Sequence, residues 1–190
     1  MTSLALIGPG RHGTAIAQLF ASHGVDVNLY HHRSNKAQAA ARAVRAVAVD
    51  SEVTVAESLA EVVEGQEIVI LATLWDSAQR QVIAELGDLL VGKILVDVSN
   101  PLDVTPSGII PRKPAEGSAG QFVATLLPRG TGHVKAFSNL ATVAIREGAD
   151  GGEEMGVGFH LHRPTRLAAA RRLLVDYVPV GLEVGLVRES

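Results

Sequence analysis

The feature that most constrains this chain is its opening, "LALIGPGRHGTAIAQLF" at residues 4–20. Leu4 to Ile7 is a short continuous apolar run, as a strand buried on both faces requires. Gly8, Gly10 and Gly13 follow, and from Thr14 to His23 the apolar residues Ala15, Ile16, Leu19 and Phe20 keep helical spacing. Gly24 stops that helix. A strand, a glycine-rich turn and a helix, in that order, commit the chain to a parallel sheet with crossover helices unless the following segments break the alternation.

They do not break it. Val25, Val27 and Leu29 alternate with polar residues and predict a second strand. An alanine-rich helix follows over Asn35 to Ala43, then a weak strand at Val53 to Val55 and a helix to about Glu64. Ile68 to Leu71 and Ile94 to Val98 predict strong strands, with a helix at Ser77 to Leu86 between them. Residues Pro101 to Gly117 hold Pro101, Pro106, Pro111 and Pro114 and predict a long loop, a lid candidate by its length. A helix over Ser118 to Leu127 with Ser118 as N-cap comes next. Strands are expected at Val134 to Phe137 and Gly156 to Leu161, with Gly148 to Glu154 a polar surface loop between them. A helix over Thr165 to Val175 and a final strand from Val178 complete the pattern. The expected fold class is α/β, a Rossmann-like doubly wound, mostly parallel sheet with helices on both faces. It forms a single domain over residues 1–190, with small substrate-site elements in 101–117 and 156–190.

The spacing Gly8-Pro9-Gly10-Arg11-His12-Gly13 is G-x-G-x-x-G, in the strand-to-helix context that gives this pattern meaning. Gly8 allows a tight turn, Gly10 lets backbone approach a pyrophosphate, and Gly13 lets the helix pack on the strand. The helix N-terminus then offers free N–H groups to an anion. Read blandly, the same stretch is a glycine-rich turn without a ligand. The end of the second strand separates two cofactors. NAD enzymes place a carboxylate there, whereas this chain has His31, His32, Arg33, Ser34 and Lys36 and no acid. Arg33 and Lys36 suit a 2'-phosphate, with His32 and Ser34 adding hydrogen bonds. NADP is therefore expected over NAD, against the bland reading of a solvated basic turn.

Five stretches together, the glycine opening, "HHRSNK" at 31–36, "ILATLWDSA" at 70–78, "KILVDVSNPL" at 93–102 and "HVKAFSNL" at 133–140, resemble the NADPH-dependent reductases of the deazaflavin coenzyme F-420 and the wider group of F-420:NADP oxidoreductase-like proteins. The resemblance extends to about Gly185. It implies a pyrophosphate loop of Gly8, Pro9, Gly10, Arg11 and His12, and a 2'-phosphate pocket of His32, Arg33 and Lys36. It implies that Ala72, Thr73, Leu74 and Trp75 lie beside the nicotinamide ribose and that Asn100 and Pro101 end the strand under the nicotinamide. Ala136 would stand near the hydride-transfer site. The chain departs from the family at Leu74, where proline is usual, and at Ser138-Asn139, where Asn-Thr is frequent.

Other residues carry weaker signals. Trp75 is either core packing or a ligand platform. His160 and His162 would share a strand face, but no further ligands are placed for a metal, and none is expected. His12 and His133 read as polar loop residues rather than general acids, Asp97 as a satisfied structural carboxylate, and Asp103 as a weak acid candidate. No residue is expected to act as a protein acid or base in catalysis. Arg163, Arg166, Arg171 and Arg172 read as a solvated face.

At 190 residues with net charge −3 and no cysteine, the chain needs no disulfides and has no global pull towards nucleic acid. No apolar run is long enough to span a membrane, and no signal peptide is expected ahead of the glycines. A reducing, cytoplasmic setting is expected. The apolar finish Val178, Val180, Leu182, Val184, Leu186 and Val187 is expected to seek a partner, as a homodimer. The expected activity is hydride transfer between NADPH and a planar acceptor such as a deazaflavin or flavin. The alternatives are a small imine or carbonyl reductase, which would need a proton donor, and a non-catalytic NADP-binding sensor or partner-binding protein.

Overall fold

The computed structural model describes residues 3–149 and 160–161 of the chain. The elements are β1 (Ser3–Ile7), α1 (Arg11–Ala21), β2 (Asp26–Tyr30), α2 (Ser34–Arg45), β3 (Val53–Val55), α3 (Leu59–Val63), β4 (Ile68–Leu71) and α4 (Ser77–Leu86). A 3-10 turn at Gly87–Leu90 leads to β5 (Ile94–Asp97), a hairpin of β6 (Leu102–Thr105) and β7 (Gly108–Pro111), α5 (Ala119–Leu126), β8 (Gly132–Lys135), α6 (Thr142–Ala149) and β9 (His160–Leu161). The main sheet runs β3-β2-β1-β4-β5-β8-β9. All neighbours pair in parallel except β8 and β9, which are antiparallel. The strand order reverses between β1 and β4, which is the switch point of a doubly wound sheet, and ligands bind such sheets beyond the strand ends there.

Alternation along the central strands builds two apolar layers. Leu4 and Leu6 of β1, Ile68 and Ile70 of β4, and Ile94 and Val96 of β5 face α1, α2 and α6. Ala5, Ile7, Val69, Leu71 and Leu95 face α3, α4 and α5. Phe20 on α1 meets Phe137 edge-on at 6.2 Å between ring centres and closes the first layer. Ser58 and Ser118 cap α3 and α5 by accepting the N–H of Glu61 and Gln121.

Four sequence expectations change. The segment after Asn100 is a hairpin rather than a structureless loop: Leu102 pairs with Pro111 and Thr105 with Gly108. Pro106 and Ser107 form its turn, braced by the Thr105 hydroxyl on the Gly108 carbonyl at 2.9 Å. Pro101, Pro106 and Pro114 lie outside the paired strands and Pro111 ends β7 opposite Leu102, so the proline content hides two four-residue strands. The β8 strand stops at Lys135 instead of reaching Phe137, because Phe137 turns the backbone with φ +60°. Gly148 and Ala149 belong to the end of α6, a helix whose short apolar pattern gave no clear period. His133 is a buried strand residue on β8, not a loop residue. The rest of the expected loop to Glu154, the strand residues Gly156 to Phe159, His162, the Arg163-to-Arg172 cluster, the Thr165-to-Val175 helix and the apolar finish lie outside the described residues.

Candidate functional site

The three glycines of the first turn have different physical jobs. Gly8 has φ +83°, and a Cβ there would stand 3.0 Å from the Ala72 carbonyl oxygen. A Cβ on Gly13 would come within 2.8 Å of the Ala72 Cβ and 3.1 Å of the Gly8 oxygen. Both glycines are thus demanded by the packing of α1 and β4 around the turn. Gly10 is not: a Cβ there meets only the Gly8 oxygen, at 4.0 Å, and the backbone angles (φ −75°, ψ −162°) suit any residue. Gly10 is exposed, and α1 begins on it with no side-chain cap. The first-turn N–H groups therefore point out with their partial positive charge uncompensated.

A cavity of about 820 Å³ opens above this turn. It runs along the strand ends from the tip of β2, across β1 and β4, to the tip of β5. Of the residues singled out from the sequence, Gly8, Gly10, His12, His32, Arg33, Lys36, Ala72, Thr73, Leu74, Trp75 and Asn100 line it. Pro9 and Gly13 are buried in the turn beneath, and Arg11 and Ser34 are exposed outside the lining. Pro101 lies behind Asn100, half-buried, and Ala136 is 1% exposed within the core layer beneath.

At the β2 end, His31, His32, Arg33 and Lys36 crowd together. The two imidazoles stack at 4.4 Å, and His31 Nδ1 accepts the Arg33 N–H at 3.0 Å. Burial, then the charges of His32, Lys36 and Arg33, hold the His31 pKa below its usual value. Among the described residues no carboxylate pairs with Arg33 or Lys36. The cluster is a positive field with no internal counter-charge, so an anion there gains charge-assisted hydrogen bonds without breaking any ion pair.

His12 proves to be a bridge rather than a loop residue. It sits in the first turn of α1, where Nε2 donates to the Phe137 carbonyl at 3.2 Å and Nδ1 meets the Thr142 hydroxyl at 3.1 Å. A carbonyl only accepts, so Nε2 carries the proton, and neutral His12 accepts from Thr142. Burial lowers its pKa, and the bond to Phe137 opposes part of that shift. Asn100 grips the same connection from the other side, its Nδ2 donating to the Ser138 carbonyl at 2.8 Å. The 137–142 connection, which brings Ser138 and Leu140 into the cavity wall, is therefore tied to the glycine turn and to the end of β5.

Trp75 is both a packing residue and part of the cavity wall. It lines the cavity and packs on Phe122 at 5.2 Å, with Arg80 over the other ring at 4.3 Å. Its Nε1 and the Thr73 Oγ1 are buried without a hydrogen-bond partner, leaving two polar groups unsatisfied at the β4 end of the wall. Asp97 is fully buried, held by Gln79, Ser99 and Lys135, and is not part of the cavity lining. Asp103 pairs with Arg112 across the hairpin at 2.7 Å. Among the described residues no group of three His, Asp or Glu could hold a metal, and no helix is long and apolar enough to cross a membrane.

Sequence reasoning missed several lining residues: Tyr30, His31, Leu59, Gln81, Val82, Ser99, Ser138 and Leu140. Ser99 was within reach, because it follows β5 at the strand end where such sheets bind ligands. Leu59 and Val82 come from helices whose tilt over the sheet has no signature in the chain.

A parallel sheet reversed between β1 and β4, with a glycine turn and a cavity at the reversal, defines a Rossmann-like α/β protein. The chain belongs to the family of coenzyme F-420-dependent NADP oxidoreductases, whose sequence profile matches residues 3–101. Among solved structures, a hypothetical protein of Sinorhizobium meliloti is similar at 21% identity and a TM-score of 0.74, covering 98% of this chain and 84% of that one. An F-420-dependent NADP-reductase candidate from Arthrobacter sp. FB24 is similar at 22% identity and 0.69, over 94% and 82%. An imine reductase of Streptomyces aurantiacus is similar at 21% identity and 0.65, over 97% of this chain but 56% of its own length. These likenesses are of fold. No curated protein matches the chain.

Proposed function

We propose that the cavity binds NADP(H) and that the protein passes a hydride between it and a planar acceptor of the deazaflavin or flavin type. The observation that carries the reading is the unpaired His32, Arg33 and Lys36 cluster at the end of β2, beside the open first turn of α1. Two anion-binding places on one cavity wall suit a ligand with a pyrophosphate and a separate phosphate. Gly10, which the fold itself does not require, supports the same reading, because the space its side chain would fill is the space a pyrophosphate needs. The unsatisfied Thr73 and Trp75 groups at the other end offer polar contacts to the rest of the ligand.

The cofactor would supply the hydride; this chain's own residues bind, orient and exclude water. The lining residues at the β4 and β5 ends are apolar or neutral, and His12 there spends both ring nitrogens on protein partners. An acceptor that takes a hydride without an accompanying proton from the protein fits such a wall, which favours a deazaflavin or flavin over an imine. Leu74 and the hairpin residue Leu102 offer apolar surface at the mouth for a flat ring system.

Titrating NADPH and NADH against wild type and Arg33→Ala tests the cofactor. The expected result is tighter NADPH than NADH binding, a loss of about 1.5–3 kcal/mol for NADPH in the variant, and little change for NADH. Following NADPH absorbance with coenzyme F-420, FMN and a cyclic imine in turn tests the acceptor. Turnover with the imine alone would exchange the deazaflavin reading for an imine reductase.

A further inference from the structure

A buried polar network lies under the β5 end of the cavity, and three of its bonds end on Ser99. Asp97 on β5 is fully buried. Its Oδ1 accepts the Ser99 N–H at 2.9 Å and Gln79 Nε2 at 2.7 Å, and its Oδ2 pairs with Lys135 Nζ at 3.1 Å. Lys135 also donates to the Ser99 carbonyl, and Gln79 Nε2 donates to the Ser99 hydroxyl at 2.8 Å. Ser99 is thus held at its N–H, its carbonyl and its side chain at once.

Stability alone does not ask for this. A buried ion pair is generally no better than two well-packed apolar side chains. Gln79 is completely buried, and its Oε1 is left without any partner so that Nε2 can hold Asp97 and Ser99. Tying down the strand end would need only the two backbone bonds; the third fixes a side-chain rotamer. Gln79 takes one of the two acceptor positions of the Ser99 oxygen. Its own proton has no acceptor among the described residues, and Ser99 lines the cavity.

We propose that Ser99 is a binding residue whose hydroxyl donates to the carboxamide oxygen of the nicotinamide ring, with Gln79, Asp97 and Lys135 as its positioning residues. This rests on the reading of the cavity as an NADP(H) site. The phosphate-binding basic cluster marks one end of the cavity, at β2. The dinucleotide's other end then falls towards β5, and the polar group it carries there is a carboxamide. A donor held in one rotamer fixes the ring about its glycosidic bond and so selects which face is offered to the acceptor.

Calorimetric titration with NADP and with 2'-phospho-ADP-ribose, which lacks only the nicotinamide, tests the proposal. For Ser99→Ala, NADP affinity is expected to fall about tenfold, as for loss of one well-aligned hydrogen bond, while 2'-phospho-ADP-ribose binds as to wild type. Ser99→Thr keeps the hydroxyl and is expected to restore NADP binding to within about threefold, the loss of less than one such bond. Gln79→Leu, which releases the rotamer, is expected to show the same split between the two ligands at smaller size. Equal losses for both ligands, or none, would overturn the role of Ser99 while leaving the cofactor reading intact. A wild type that binds neither ligand would overturn the cofactor reading and the Ser99 role with it.

Discussion

Gly13 and Gly10 separate what the fold needs from what a ligand needs. Gly13→Ala places a methyl 2.8 Å from the Ala72 Cβ, so α1 must shift away from β4. The expected cost is about 1–3 kcal/mol, as for other overpacked sites, read from chemical denaturation. Gly10→Ala meets only the Gly8 carbonyl oxygen, at 4.0 Å, an ordinary contact distance. Its stability is expected to stay within about 0.5 kcal/mol of wild type, while NADPH affinity falls by roughly tenfold or more through loss of the close approach. If Gly10→Ala binds NADPH normally, the turn is not a pyrophosphate cradle. His12 supplies a pH test at the same scale. Its folded pKa lies below the usual histidine value, so the unfolded chain holds a proton that the native state refuses. The stability this contributes is fully present above about pH 6.5 and is lost as pH falls through the folded value. The melting temperature should therefore drop between about pH 7.5 and 5, and His12→Gln should flatten the slope. The shift at His31 has the same sign and leaves a residual slope. An unchanged slope in the variant would remove His12 from the account.

Among the elements, the β6–β7 hairpin stands apart. Gly108 to Pro111 is exposed along its length, with Ile109 65% and Ile110 48% exposed. An isolated two-stranded hairpin is marginally stable in water, so this element belongs to the least protected part of the molecule. Yet it leaves directly from Asn100, and Leu102 lines the cavity. Amide exchange over 102–111 is expected to be fast without ligand and to slow when NADPH binds, then further with the acceptor, if the hairpin closes over the site. Exchange that is fast and identical in all three states would make it a connector. By contrast, β1, β4 and β5 are buried on both faces and should exchange slowest throughout. The two-sided tie on the 137–142 connection, from His12 and from Asn100, puts that segment with the slow elements despite its turn at Phe137.

At the scale of the molecule, the basic cluster after β2 and the Ser99 network after β5 sit at opposite ends of one row of strand tips, so a ligand that spanned them would tie β2, β1, β4 and β5 together. NADPH at about a hundred times its Kd should stabilise the native state by about 2.7 kcal/mol, and NADH at the same concentration by less. Equal rises in melting temperature would mean that the basic cluster takes no part. The sequence by itself determined the alternation of strands and helices, the position of each crossover, and the glycine turn. These depend on local period and on residues within a few positions of each other, such as Leu4 to Ile7 followed by Gly8. It also set the sign of charge at the β2 tip, because His31 to Lys36 are consecutive. The tertiary structure alone decided that Asp97 and Lys135 face each other, that Gln79 reaches both Asp97 and Ser99, and that His12 bridges to Phe137 and Thr142. The hairpin, too, was hidden, since its prolines lie where no pairing bond is needed. Each of these is a contact between segments 18 to 130 positions apart or a choice of register. Such contacts are fixed by the order of strands in the sheet and the packing of helices on it, which no local pattern in the chain records.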